Sequence, residues 1–177
     1  MSKNRIILNR DIIQSTTFCP SVFKYTSKND FDNYFYAPNM AIKLYYPKVS
    51  WMDNNSISFV FDKTENENLL NLIKEINERL INSLSQYIEL RGHSELSQVP
   101  CIYFEKPDLN CFYIKCNIPN TNGRFFVNCM DNENNSKRFI KPSIGFIYNH
   151  VILDIRNVWK TGNKIGFRLE LKDAVLN

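Results

Sequence analysis

The sequence predicts one domain that is mainly β, with one principal helix. Its 177 residues suit a single domain, and 44% of them are hydrophobic, which allows a sizeable core. Aromatic residues make up 14% and lie mostly in short segments of alternating character, whereas Gly occurs only 5 times. Because aromatic residues and the alternation of apolar with polar residues favour strands, we expect residues 1–177 to form one β-rich domain.

Residues 1–38 are the least regular part of the sequence. The segment "STTFCPSVFKYTSKNDFDNYFYAP" mixes aromatic residues with turn formers, which predicts an irregular N-terminal region with one or two irregular strands. The first twenty residues lack the apolar run of a secretory signal, and no later segment approaches the roughly 20 apolar residues of a membrane span. We therefore expect an intracellular protein that has no membrane partner.

Two alternating segments follow this region. "MAIKLYYP" places Ile42 and Leu44 on one face and Lys43 and Tyr45 on the other, and "SISFVF" alternates in the same way. This pattern predicts an antiparallel pair of strands joined through residues 47–55.

The principal helix is predicted over residues 64–91. Thr64 and Glu67 have the spacing of a capping box, apolar residues recur at intervals of three and four up to Ile88, and Gly92 is a natural stop. Residues 62–95 contain seven acidic and four basic side chains, a net charge of −3. We expect the helix to pack on the sheet and to avoid an anionic ligand.

Further strands are predicted after the helix, in "CIYFEKP", "CFYIKCNIP", "GRFFVNC" and "GFIYNHVILDIRNVW", with a loop at "DNENNSK". In the second of these, Phe112, Ile114 and Cys116 alternate with Tyr113 and Lys115, which predicts an apolar inner face and a polar outer face. The chain closes with a hairpin around the turn at residues 160–163. Residues 137–172 carry eight bases against two acids, a net charge of +6.

Motifs for catalysis and metal binding are missing. The sequence has no phosphate-binding loop, no G-x-S-x-G, no H-E-x-x-H and no C-x-x-C pair. Its two histidines have no catalytic neighbour in the sequence, and its five cysteines lie scattered through predicted strands. We expect a protein that is not an enzyme, binds no cofactor or metal, and keeps its cysteines reduced.

Aromatic and basic side chains share the outer faces of several predicted strands. Such surfaces suit an unpaired nucleic-acid strand, since its bases stack on rings while its phosphates pair with Lys and Arg. An alternative is that the basic residues of the last strand, including Arg168 and Lys172, only protect a sheet edge from aggregation. The candidate contacts are Lys43, Tyr45, Tyr113, Lys115, Arg124, Phe126, Arg156, Trp159, Lys160, Lys164 and Arg168.

Trp159 can be assigned in two ways. It shares sequence parity with Val151, Leu153 and Ile155, which favours the core. A bulge near Asn157 would instead turn the ring outward, toward a base.

The order of these segments resembles the single-stranded DNA-binding proteins of large nucleocytoplasmic DNA viruses. The similar segments are "APNMAIKLYYP", the helix, "FYIKCNI" and the closing "NVWKTGNKIGFRLELKDAVL". The "FYIKCNI" strand has one lysine where that family often has two. The resemblance implies an OB-fold-like five-stranded barrel with N-terminal and C-terminal extensions, and oligonucleotides lie across strands 2 and 3 of such barrels.

The function implied by the resemblance is sequence-independent coating of single-stranded DNA during viral replication or recombination, in the host cytoplasm or nucleus. The expected partners are single-stranded DNA, further copies of the chain that bind cooperatively, and replication proteins. Two other functions fit the residues: a protein-interaction or virion structural module, because Tyr, Phe and Arg are interface residues, and an RNA-binding module.

Overall fold

The computed structural model describes residues 6–9, 24–28, 32–36, 40–89, 97–98, 103–106, 108–161 and 164–177. The strands are β1 (Ile6–Ile7), β2 (Lys24–Lys28), β3 (Asp32–Tyr36), β4 (Met40–Tyr45), β5 (Lys48–Met52), β6 (Ser56–Asp62), β7 (Ser97–Gln98), β8 (Phe104–Glu105), β9 (Cys111–Asn117), β10 (Asn120–Thr121), β11 (Arg124–Phe125), β12 (Asn128–Met130), β13 (Ser136–Lys137), β14 (Tyr148–Thr161) and β15 (Lys164–Leu176). The helix α1 spans Glu67–Glu89.

A closed ring of strands forms the body of the molecule. The chain from β4 to β5 is one bent segment, whose first half pairs antiparallel with β14 and whose second half pairs antiparallel with β6. From β6 the ring continues through antiparallel β9, parallel β15 and antiparallel β14, which leads back to β4. A bridge between Lys48 and Ile147 also joins β5 to the residue just before β14. The expected OB-type barrel is confirmed, with β4–β5, β6, β9, β14 and β15 as its five successive strands.

The predicted pairing of residues 40–46 with residues 56–61 is wrong. Tyr46 has a φ of 49°, in the left-handed region that side chains rarely adopt, and it bends the chain just before Pro47. Residues expected to form a connecting loop then continue as β5, where Val49 is buried in the core. The true partner of β6 on this side is therefore β5, and β4 pairs with β14 instead.

The barrel interior follows the predicted alternation where a strand is regular. In β9, Phe112, Ile114 and Cys116 are buried, and the side chains between them lie on the outer face. Cys111, Cys116 and Cys129 are free thiols. Cys19 and Cys101 lie outside the described residues.

Helix α1 packs on the barrel through one apolar stripe. Leu70, Ile73 and Ile76 belong to the same buried cluster as the strand residues. The helix begins three residues later than predicted, after a turn in which the Asp62 carboxylate accepts hydrogen bonds from the backbone N–H groups of Thr64 and Glu65. Within the described residues, no helix is long and apolar enough to cross a membrane.

Strand β15 is paired on both sides along part of its length, so the alternative that its basic residues only protect a free edge does not hold for the paired segments. It pairs with β14 along one side and with β7, β9 and β12 along the other. The β14–β15 hairpin extends beyond the barrel, where Val158 pairs with Phe35 of β3, and β3 in turn pairs with β2. Among its described residues, the irregular N-terminal region therefore contains three short strands, of which β1 pairs with β4 and β3 pairs with the hairpin.

Candidate nucleic-acid interface

The outer face of β6 and β9 carries two rows of side chains in register. In one row, Trp51 of β5 pairs with Ser58, which pairs with Lys115. In the other, Val60 pairs with Tyr113, which pairs with Phe104 of β8. Since paired residues of an antiparallel sheet lie on the same face, the register itself brings rings and cations together. We name this surface the strand platform and define it by Trp51, Phe104, Lys106, Tyr113 and Lys115.

One half of the strand platform is a stacked pair of rings. The centroids of Phe104 and Tyr113 lie 4.8 Å apart and their planes differ by 5°. The Lys106 ammonium lies 5.1 Å from the centre of the Tyr113 ring. A hydrogen bond of 3.4 Å joins the Cys111 thiol and the Tyr113 hydroxyl, and this bond is the main cause of the raised pKa of Tyr113. The tyrosine is therefore held in place and neutral at physiological pH.

The other half of the strand platform is a tryptophan beside a lysine. The Lys115 ammonium lies 5.1 Å from the centroid of Trp51, and 43% of the tryptophan surface is exposed. In the adjoining turn, the Asp53 carboxylate accepts hydrogen bonds from the backbone N–H groups of Asn55, at 2.7 Å, and Ser56, at 2.6 Å. These bonds, the one from Asn55 foremost, lower the pKa of Asp53. The Asp53 carboxylate therefore stabilises the turn.

Lys43 and Tyr45 form a separate pair on another side of the barrel. The Lys43 ammonium lies 4.8 Å from the Tyr45 ring, and 59% of Tyr45 is exposed. Both residues line a cavity of about 620 Å³ together with Leu69, Leu72 and Glu75 of α1. Two strands, β15 and β14, separate β4 from β9 in the ring. The structure therefore does not bring this predicted pair together with Tyr113 and Lys115.

Arg124 and Phe126 lie at the β10–β11 hairpin, in the long connection between β9 and β14. The Arg124 guanidinium lies 5.9 Å from the centre of the Phe126 ring, which is 48% exposed. The hairpin forms one wall of a cleft of about 930 Å³, which we name the basic cleft. Its lining residues are Asn122, Gly123, Arg124, Phe125, Val127, Lys137, Arg138, Phe139, Ile140 and Lys141.

Hydrogen bonds connect the basic cleft to the turn beside the strand platform. The side-chain amide of Asn120, at the start of the β10–β11 hairpin, donates to the Asn54 backbone carbonyl and to Asn55 Oδ1, both at 3.1 Å. From the opposite wall, the Lys141 ammonium donates to Asn54 Oδ1. Both walls of the cleft therefore meet at the turn that follows Trp51.

The remaining candidates lie on the β14–β15 hairpin. Arg168 is exposed and pairs in register with Arg156. A register shift at Asn157 then places Trp159 opposite Gly166. The side chains of Arg156, Trp159, Lys160 and Lys164 lie outside the described part of the chain.

Sequence reasoning missed Trp51, Phe104 and Lys106 on the strand platform, and also Arg138 and Lys141 in the basic cleft. Phe104 and Lys106 have the two-residue spacing of ring and cation that singled out Tyr113 and Lys115, so this signal was present in "YFEKP". Trp51 was assigned to a loop because the bend at Tyr46 was not foreseen.

No family model matches the chain, and no curated protein matches its sequence. Among solved structures, the chain is similar to the crystal structure of gp2.5, a single-stranded DNA binding protein encoded by bacteriophage T7. The similarity has a TM-score of 0.52 and covers 77% of this chain and 85% of that chain. The two sequences are 11% identical, so the comparison shows a shared fold alone.

Proposed function

We propose that the protein binds single-stranded DNA without sequence preference, across the strand platform. The observation that carries the proposal is the placement of two ring and cation pairs side by side over β6 and β9, contributed by β9 and by the neighbouring β5 and β8 segments. β6 and β9 are the second and third strands of the barrel, the face on which OB-type barrels bind oligonucleotides.

The chemistry of the strand platform suits unpaired bases. Phe104 and Trp51 each expose more than two fifths of their surface, at 44% and 43%, and every base offers a face that can stack on a ring. Lys106 lies beside Tyr113, the ring that stacks on Phe104, and Lys115 lies beside Trp51, so both can reach the phosphates between stacked bases. Stacking contributes about 1–3 kcal/mol per base and is tolerant of sequence, so this surface needs no base-specific hydrogen bonds.

The other candidate contacts extend this surface in the proposal. Arg124 and Phe126 continue it toward the basic cleft, whereas Arg168 and its register partner continue it along the β14–β15 hairpin. Lys43 and Tyr45 are assigned the weakest role, since they share a cavity with the acidic helix. The proposed set on the hairpin is Arg156, Trp159, Lys160, Lys164 and Arg168.

The proposed role is that of a non-enzymatic coat that shields single-stranded DNA from nucleases and removes hairpins during viral replication or recombination, in the host cytoplasm or nucleus. The fold shared with the phage protein supports a single-stranded DNA-binding family in general. Membership of the large nucleocytoplasmic DNA virus group is proposed from the sequence motifs alone. Cooperative self-association and contact with replication proteins belong to the same proposal.

Binding to labelled single-stranded DNA, duplex DNA and RNA, measured by fluorescence anisotropy, tests the proposal. We expect tightest binding to single-stranded DNA. Four to six phosphate contacts predict a slope of about −3 to −4 for log affinity against log salt, at about −0.7 per contact. Lys115→Glu should weaken binding to every sequence alike. The charge-matched control Arg79→Glu, on α1, should not.

Three results would contradict the proposal. A slope near zero would show that cations do not hold the ligand, and equal loss in Lys115→Glu and Arg79→Glu would remove the strand platform from the site. Tighter binding to RNA would favour an RNA-binding module. No binding to any nucleic acid would favour a protein-interaction module.

A further inference from the structure

Several basic side chains of the basic cleft have no acidic partner among the described residues. Among the residues that the structure describes, neither Arg124 nor Arg138 forms an ion pair, and the recorded polar contact of Lys141 is with the uncharged side chain of Asn54. Of the four basic side chains that line the cleft, Lys137 alone has an acidic partner within the described part of the chain, through a 3.0 Å ion pair with Asp131. Unpaired guanidinium groups lining a cleft are suited to phosphate, which they can bind through two parallel hydrogen bonds.

An aromatic floor accompanies these charges. Phe125 lines the cleft and is half-buried, with its ring centroid 5.5 Å from that of Phe139 in an edge-to-face contact. The Lys141 ammonium lies 5.7 Å from the centre of the Phe125 ring. This combination of a ring beside a cation repeats the arrangement of Trp51 and Lys115 on the strand platform. The volume of about 930 Å³ is also within the range of ligand-binding clefts, about 300–1,000 Å³.

We infer that the basic cleft is a second binding site for the same DNA strand, which leaves the strand platform across the turn at residues 53–55. This inference rests on the proposed function. Trp51 lies two residues before this turn, and both walls of the cleft are hydrogen-bonded to the turn through Asn120 and Lys141. A strand stacked on Trp51 therefore has a continuous surface into the cleft. There, Arg138 and Arg124 bind successive phosphates while a base stacks on Phe125.

The inference makes a prediction that depends on the length of the ligand. A short oligothymidylate, of about 4 nucleotides, fits the strand platform alone, whereas one of about 12 nucleotides also reaches the cleft, and both lengths fall within the site sizes of OB-type domains. Arg138→Glu should weaken binding of the long ligand by about tenfold, the usual size of one lost charge-assisted hydrogen bond, and lower its salt slope by about 0.7. Binding of the short ligand should be unchanged.

Two further variants complete the experiment. Lys141→Glu should reproduce the length-dependent loss from the other wall of the cleft. Arg79→Glu makes the same change in net charge on α1 and should alter neither affinity. Melting temperatures of all three variants identify any loss that comes from unfolding.

A chemically altered ligand tests the phosphate contact directly. Two probes replace the last two phosphates of the long ligand by uncharged methylphosphonates, one at the 5′ end and the other at the 3′ end. We expect only one of the two probes to bind the unaltered protein more weakly than the long ligand does. Arg138→Glu should show no further loss with that probe, because the two changes remove the same contact.

Equal loss for short and long ligands in Arg138→Glu would overturn the inference, as would unchanged binding of the long ligand. Failure of the proposed function gives a different result, in which the unaltered protein binds neither ligand.

Discussion

The strand platform predicts that Tyr113 contributes to binding much more than to folding. Tyr113→Ala removes the ring that stacks on Phe104 at 4.8 Å and leaves Lys106 without the ring it covers. Loss of one stacked base corresponds to about 1–3 kcal/mol, or about 5- to 150-fold in affinity. The ring pair itself contributes about 0.5–1.5 kcal/mol to stability, which corresponds to a fall of about 1–6 °C in melting temperature.

Fluorescence anisotropy with a labelled oligothymidylate measures the first quantity, and thermal unfolding followed by circular dichroism measures the second. Tyr113→Phe is the matched control. It keeps the ring and removes only the hydroxyl that forms the hydrogen bond with Cys111. We expect its affinity to remain within about twofold of the unaltered protein, because stacking requires the ring and not the hydroxyl.

Two outcomes would refute this reasoning. Unchanged affinity in Tyr113→Ala would show that no base stacks on the pair of rings formed by Phe104 and Tyr113. A loss of affinity in Tyr113→Phe as large as that in Tyr113→Ala would assign the effect to the hydroxyl, and the contact would then be a hydrogen bond and not a stacked base.

Three further predictions concern other parts of the molecule. Ile76→Asp places a charge in the buried cluster under α1 and should destabilise the fold by more than about 4 kcal/mol in urea unfolding, whereas Glu78→Ala, on the exposed face, should change neither stability nor affinity. A loss of binding in Glu78→Ala would place DNA on the helix. Arg168→Glu should weaken binding to every DNA sequence while the melting temperature is preserved, and unchanged binding would exclude the hairpin from the site. The Lys137 ammonium is the main cause of the low pKa of Asp131, about 2, so the stabilisation from Asp131 is present above its ordinary pKa of 3.8 and is lost as the pH falls toward 2. Asp131→Asn should accordingly melt below the unaltered protein at pH 7, and the difference should narrow between pH 4 and pH 2; a difference independent of pH would contradict the ion pair.

The sequence predicted the parts of the fold in which apolar and polar residues follow a strict period and one face of the element is buried. In β9, the apolar residues from Phe112 to Cys116 alternate without interruption, so both the inner face and the outward position of Tyr113 and Lys115 followed directly. The helix was predictable for the same reason, since the stripe that includes Ile73 and Ile76 repeats at the helical period and is buried.

Strand pairing was less predictable, because it depends on contacts between residues distant in the sequence. The segment at residues 40–52 looked like a strand followed by a loop. In the structure it bends at Tyr46 and pairs with two different neighbours. The bend makes β5 a partner of β6, and a register shift between Val49 and Trp51 then brings Trp51 opposite Ser58 and so next to Lys115. The pairing of Trp51 with Lys115 could therefore not be predicted from the sequence, although the ring and the cation suit a nucleic-acid surface.

Trp159 shows how one additional residue changes an assignment based on alternation. Counting by twos from Ile155 places Trp159 with the core residues of β14. The register instead passes from the pair Arg156 and Arg168 directly to the pair Val158 and Phe167, so Asn157 is a bulge. Directly before Asn157, odd-numbered residues of β14 pair with odd-numbered residues of β15, and after it they pair with even-numbered ones. Trp159 therefore lies opposite Gly166. The backbone register of Trp159 therefore differs from the one that counting by twos assumes, and the difference follows from the single additional residue Asn157.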